Sequence, residues 1–281
     1  MQTLASTENL FLFVFVYVLM FPNWLIESYK WKLITASIET ISFSNAIKGV
    51  CAGICIGNLT PGRVGEFAGR LIYFLPENRS KITITHFVCG STQLFVTVAT
   101  GVLATISWFT KNTTDTDLFA LVLAIALALL AALLFLFIKI DTVYKKIASL
   151  KMLSKFNFGE VHYPKTILIQ LLSWSTLRYF VFSSQYVLLL KICGAKGNYF
   201  DLLIPVAISF MLMSSIPMIS FIEVAIRAGI AIILFSQYIS NDLLIVTAST
   251  ALWFINIITP SIIGYFIILG TKINLKKQSS T

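Results

Sequence analysis

Along this chain the apolar residues come in long unbroken runs separated by short polar intervals, with no alternation of the kind a strand would show. Leu10–Ile26, Ile82–Phe109, Leu118–Ile138 and Leu243–Gly270 carry no Asp, Glu, Lys or Arg, and Thr166–Leu190 is interrupted only by Arg178. A helix needs about 20 apolar residues to cross roughly 30 Å of hydrocarbon, so each run predicts a membrane span. The first has no basic residue before it and no small-residue cleavage site after it, which makes it a first helix rather than a leader. It runs into Glu27-Ser28-Tyr29-Lys30-Trp31-Lys32, a mixture of aromatics and cations expected at the headgroup level, where the helix should end.

Two other apolar regions are too short to cross. Gly49–Gly62 and Leu71–Leu75 flank Thr60-Pro61-Gly62-Arg63-Val64-Gly65-Glu66-Phe67-Ala68-Gly69-Arg70, and Leu202–Ile216 and Phe221–Phe235 flank Pro217. Each pair reads as a helical hairpin that enters the membrane, turns at its proline and leaves on the same side. Span, hairpin, span then occurs twice, in opposite orientation. The fold class expected is an all-α polytopic membrane protein of two inverted repeats with re-entrant, proline-broken hairpins, joined by a connecting helix. Paired interrupted segments in corresponding halves are the sequence sign of that plan. Repeat one covers about 10–109, the connector 118–138 and repeat two about 166–270, within a single domain over 1–281.

Charge fixes the expected orientation. Lys139, Lys145, Lys146, Lys151, Lys155 and Lys165 lie in one loop, and Lys272, Lys276 and Lys277 lie in the tail. Parity puts both on the same side, read as cytoplasmic by the bias of positive charge, in a bacterial inner membrane. The segment Lys191–Asp201 fits that bias least well.

Composition closes off other classes. The chain is 57% hydrophobic and 12% charged, with mean hydropathy +0.87, against about 25% charged in a soluble domain. The net charge of +9 does not indicate nucleic acid, because the lysines sit in loops and no basic run is interleaved with aromatics. Cys51, Cys55, Cys89 and Cys193 lie in or beside apolar segments and read as packing residues. Cys51, Cys55 and His86 lack a ligand spacing, so neither a metal nor a cofactor is expected. His86 reads as a polar residue facing the bundle and His162 as a solvated loop residue; no set of residues nominates itself as catalytic.

The chemistry lies at the two turns. Thr60 can cap a helix whose first position is Pro61, and Ser220 with Glu223 has the spacing of a capping box. Helix starts deep in a membrane would present free N–H groups to an anion. Arg63, Glu66 and Arg70 fall at i, i+3 and i+7 on one helical face, and Glu66–Arg70 and Glu223–Arg227 are i, i+4 pairs. Arg63 and Arg178 are left without a local partner. An ionised side chain at mid-membrane costs at least about 2.5–3.5 kcal/mol. Ion pairs that merely tie the hairpins together, or hairpins lying shallow at the surface, would account for the pairs but not for Arg63. The candidate headgroup-binding set is therefore Thr60, Arg63, Glu66, Arg70, Arg178, Glu223 and Arg227. Gly49, Gly53 and Gly57, with Gly65 and Gly69, form small-residue stripes that let helices approach closely. Trp24, Trp31, Trp108 and Trp174 read as interfacial or packing aromatics.

Asn23-Trp24 with Lys30-Trp31, followed by Thr60-Pro61-Gly62-Arg63-Val64-Gly65-Glu66 and Gly69-Arg70, resembles the transmembrane region of the lysylphosphatidylglycerol synthase family, also called flippase-like proteins. Glu223 and Arg227 look like that family's second polar signature. The resemblance implies a membrane protein that moves a phospholipid or polyprenyl-linked lipid headgroup between leaflets. Founding members carry a soluble aminoacyl-transferase domain after this region; the chain reaches Thr281 without one, so lysine transfer is not expected of it. The alternative reading is a membrane-embedded transferase or synthase subunit working with a soluble partner.

Overall fold

A computed structural model describes residues 7–112, 115–139, 163–215 and 220–278. All regular structure among them is helical. Helix α1 (Thr7–Val18) and α2 (Met20–Thr35) run end to end, interrupted at Leu19. Pro22 explains the interruption, since it has no N–H to offer the carbonyl of Val18. After α3 (Phe43–Asn58) come a 3₁₀ turn at Pro61–Arg63, the five-residue α4 (Glu66–Arg70) and further 3₁₀ turns at Leu71–Tyr73 and Pro76–Asn78. Then follow α5 (Arg79–Asn112), α6 (Thr116–Ile138), α7 (Lys165–Ile192), α8 (Tyr199–Ser215) and α9 (Ser220–Phe235). The last stretch is α10 (Asp242–Trp253), a π-helical segment Phe254–Ile258 and α11 (Thr259–Gln278).

Among the described residues, three stretches are long and apolar enough to cross a membrane: Thr7–Thr35, Pro76–Lys111 and Asp242–Thr271. Helix α7, at 28 residues, spans about 42 Å at 1.5 Å per residue, but its polar side chains dilute its hydropathy. Large apolar side chains such as Phe11, Phe87, Phe135, Phe180 and Phe266 point outward. A soluble protein would not tolerate so much exposed apolar area; in a membrane it is the lipid-facing surface.

Helices α3 and α4 fold back on one another, and the turn between them differs in detail from the expected one. Thr60 does not cap a helix beginning at Pro61. Its hydroxyl donates to the carbonyl of Gly57 at 3.0 Å and accepts the N–H of Gly65 at 2.8 Å, so it staples the turn from inside. Gly62 and Arg63 both adopt left-handed backbone, at φ 58° and 57°. Gly62 does so freely; Arg63, the one non-glycine with positive φ among the described residues, does so at roughly 1–2 kcal/mol. Arg63 therefore stands off the helix that carries Glu66 and Arg70, and the three do not share a continuous helical face. The arms of the hairpin meet backbone to backbone. A Cβ on Gly69 would sit 2.3 Å from the carbonyl carbon of Ala52, and one on Gly53 2.6 Å from the Glu66 carbonyl oxygen.

Helices α8 and α9 pack on one another as the arms of the second pair. Its expected break at Pro217 and the side chain of Ser220, with the capping box, lie outside the described residues, as do His162 and most of the lysine loop.

Two apolar cores flank a polar layer. One gathers Val16, Trp24, Val96, Tyr179, Phe210 and Phe235; the other gathers Trp31, Val50, Ile82, Cys89 and Leu171. Helices α2, α5 and α7 each pass from one core to the other, and each carries polar side chains at the crossing. These are Glu27 on α2, Thr92 and Gln93 on α5, and Ser175 and Arg178 on α7. Thr92 and Ser175 share a hydrogen bond at 2.9 Å, which satisfies two buried hydroxyls that would otherwise cost stability.

The close approaches are exacting. Gly69→Val and Gly264→Val, the latter forcing a Cβ to 2.1 Å from the Cys51 carbonyl oxygen, are expected to lower stability by about 1–3 kcal/mol or more. Gly229→Ala, on α9 with nothing within 4 Å, should be neutral or stabilising by up to about 1 kcal/mol. Thermal unfolding of the purified variants in detergent checks both.

Candidate functional site

Helix α2 supplies the centre of the polar layer. Asn23, Glu27 and Lys30 lie at i, i+4 and i+7 and so point the same way; all three are buried. The Glu27 carboxylate meets three cations. Its Oε1 accepts from Arg70 Nη2 at 2.9 Å, and its Oε2 lies 3.2 Å from Arg178 Nη1 and 3.3 Å from Lys30 Nζ. Arg70 also lies 3.6 Å from Glu66 Oε1, and its guanidinium sits 5.2 Å above the Trp31 ring. That geometry allows a cation–π contribution of about 0.5–2 kcal/mol.

The network continues in both directions. Arg178 Nε donates to Asn23 Oδ1 at 2.7 Å, Asn23 Nδ2 donates to Asn256 Oδ1 at 2.8 Å, and Asn256 Nδ2 donates to the Leu252 carbonyl at 3.1 Å. Asn256 sits in the π-helical segment, where Pro260 leaves its carbonyl without the usual helical N–H. Arg178 Nη1 reaches Gln93 Oε1 at 3.4 Å. At the other end, Arg63 Nη2 lies 3.8 Å from Glu66 Oε1. On α9, Arg227 Nη2 donates to Glu223 Oε1 at 2.6 Å.

These groups surround one cavity of about 530 Å³. Arg63, Glu66 and Arg70 from the first hairpin line it, with Asn23 and Glu27 from α2, His86 and Gln93 from α5, and Arg178 from α7. Glu223 and Arg227 from α9 and Asn256 from the last stretch complete the wall. Six of the seven residues singled out from the sequence are thus brought together; Thr60 stays in the turn that positions Arg63.

Two expectations change. Arg63 has a local partner, Glu66, whereas Arg178 has none nearby in sequence, as expected, and pairs with Glu27 of α2. Glu27 and Lys30, read as interfacial, are interior: Lys30 is 0% exposed and Trp31 likewise. The residues missed as site members are Glu27, Asn23, Lys30, Gln93 and Asn256. The helical spacing of Asn23, Glu27 and Lys30 was the available signal. Trp174, by contrast, does pack, against Tyr29 at 4.9 Å between ring centroids.

Four arginines face three carboxylates around the cavity, and Lys30 behind Glu27 adds a fifth cation. Among the described residues no group of His, Cys, Asp and Glu could hold a metal ion. The arrangement suits an anion held by hydrogen-bonding cations.

An all-helical bundle with membrane-length apolar stretches and a buried ionic cavity defines an integral membrane protein. The sequence model of the lysylphosphatidylglycerol synthase TM region matches residues 1–264, and the chain belongs to that family. Among curated proteins none matches it.

Removing Glu27 leaves Arg70, Arg178 and Lys30 buried without their common counter-charge. Glu27→Gln is therefore expected to cost about 3–5 kcal/mol. Glu223→Gln, which frees only Arg227, should cost less. Thermal or denaturant unfolding of both variants in detergent gives the comparison.

Proposed function

We propose that this chain moves an anionic or zwitterionic lipid, or a lipid-linked headgroup, between the leaflets of a bacterial cytoplasmic membrane. The observation that carries the reading is the convergence of Arg63, Arg70, Arg178 and Arg227, from four separate segments, on one cavity inside an apolar bundle. These arginines bind the phosphate, Glu66 and Glu223 position them or exchange protons, and Thr60 holds the turn that presents Arg63. The acyl chains stay in the bilayer while the headgroup passes the hairpins.

Two inverted halves are part of this reading, with the whole of 1–281 acting as one domain. The separation 223 minus 66 equals 227 minus 70, which is 157. Shifted by 157, Thr7–Thr35 becomes 164–192, against α7 at Lys165–Ile192. Phe43–Asn58 becomes 200–215, against α8 at Tyr199–Ser215. The packing is also reciprocal. The leading arm of the first hairpin lies on α11 at Gly264, and that of the second lies on α5 at Gly101, where a Cβ would be 2.3 Å from Met211 Cβ. Such reciprocity supports hairpins entering from opposite leaflets, with the basic tail cytoplasmic.

A second reading draws on the family's description as a synthase TM region: the chain is the embedded subunit of a lipid-modifying enzyme with a soluble partner. Headgroup modification by the purified chain, alone or with that partner, would favour it.

In vesicles carrying the full chain, Arg63→Ala should reduce headgroup translocation by roughly tenfold to a hundredfold, the value of one charge-assisted hydrogen bond, while unfolding stays close to wild type. A chemical quench of labelled outer-leaflet lipid reads the rate. Unchanged transport removes Arg63 from the mechanism.

A further inference from the structure

Resting on the lipid-headgroup reading, the charge inventory of the cavity narrows the ligand. We infer that the cavity takes a head with two negative charges, a phosphate monoester or a diphosphate, in preference to a phosphodiester or an ammonium-bearing head.

The first argument is the imbalance of charge. Arg63, Arg70, Arg178, Arg227 and Lys30 outnumber Glu27, Glu66 and Glu223 by two among the described residues. Two of these cations are deep: Arg70 is 3% exposed and Lys30 0%. Uncompensated charge in an apolar interior is costly, so the complementary ligand carries the missing two negatives. A single phosphodiester supplies one. A head that adds an ammonium to its phosphodiester supplies none in total.

The second argument is the kind of atom left without a partner. Arg63 Nε, Arg70 Nε and Nη1, and Arg227 Nε are buried and have no hydrogen-bond partner, whereas among the described residues no buried carboxylate oxygen is in that position. Guanidinium nitrogens only donate. The wall therefore has donating capacity in reserve on three of its arginines. Each carboxylate already faces at least one of these cations, so an ammonium would enter a wall whose net charge is positive. The three oxygens of a terminal phosphate are acceptors suited to two or three guanidinium groups at once.

The third is breadth. The arginines come from the left-handed turn, α4, α7 and α9, so they approach from separate directions. A terminal phosphate exposes oxygens on several sides; a phosphodiester presents only two free oxygens.

Equilibrium binding to the full chain in phosphatidylcholine nanodiscs tests this. The probes are dioctanoyl phosphatidate, dioctanoyl phosphatidylglycerol, dioctanoyl phosphatidylethanolamine and inorganic phosphate. Phosphatidate is expected to bind about tenfold or more tightly than either phosphodiester, and Arg63→Ala and Arg227→Gln should each erase most of that margin. Lowering the pH from about 8 to about 5 protonates the monoester, whose second pKa is near 6, and should weaken phosphatidate roughly tenfold. Phosphatidylglycerol keeps one charge over that range, so its own pH response subtracts any effect from His86, Glu27, Glu66 or Glu223. Equal or tighter binding of phosphatidylglycerol or phosphatidylethanolamine overturns the inference while leaving lipid transport standing. Inorganic phosphate binding as tightly as phosphatidate keeps the dianion and overturns the lipid reading. Binding of none of the four overturns the inference, and headgroup transport measured separately decides whether the lipid reading survives it.

Discussion

One carboxylate carries the polar interior. Glu27 offers two oxygens, and three cations from α2, α4 and α7 use them. That shared counter-charge ties the first hairpin to the first span and fixes Arg178 on α7 beside both. A single negative charge cannot balance three positive ones, however. Glu66 takes part of the surplus through Arg70 and Arg63, at the longer distances of 3.6 and 3.8 Å. The remainder persists at the cavity wall. A cavity wall of net positive charge thus follows from the way the hairpin is anchored.

Legibility in the sequence followed contrast. Arg63, Glu66, Arg70, Glu223, Arg227 and Arg178 stand out because each interrupts an apolar run, and membrane burial makes such interruptions costly. Glu27 and Lys30 escaped for the opposite reason. They follow the apolar run of the first span, where charge and tryptophan together ordinarily mark the headgroup level. Helix α2 continues to Thr35 instead, and the hairpin and α5 cover those residues. The helical face shared with Asn23 is the sequence sign of the second outcome, and tertiary packing settles it. Asn23, Gln93 and Asn256 were harder still, since an uncharged polar residue in a span is common and its partner lies far off in sequence, 233 positions away for Asn23 and Asn256.

Backbone irregularity and site chemistry coincide, and the prolines say why. Pro22 precedes Asn23, Pro61 precedes the left-handed pair Gly62–Arg63, and Pro260 lies four residues after Asn256. Each removes a helical N–H or bends the path, freeing backbone groups that cannot be left bare in hydrocarbon. The Gly57 carbonyl freed by Pro61 is taken up by the Thr60 hydroxyl, and beside each break an amide or guanidinium side chain reaches the cavity wall: Asn23, Arg63 and Asn256.

Under the transport reading the two halves are unequal, and the inequality has a physical basis. The position that corresponds to Glu27 at the offset of 157 is Ser184, which hydrogen-bonds to Tyr199 at the start of α8 at 2.7 Å. The second half has no carboxylate there to hold Arg227, which pairs with Glu223 of its own helix. Displacing α4 separates Arg70 from Glu27 and exposes a buried charge to apolar surroundings. Displacing α9 carries both members of its ion pair together and breaks neither. The first hairpin is thus cross-linked by charge to α2 and α7 and held backbone to backbone at Gly69, whereas the ion pair of α9 ties it to no other helix.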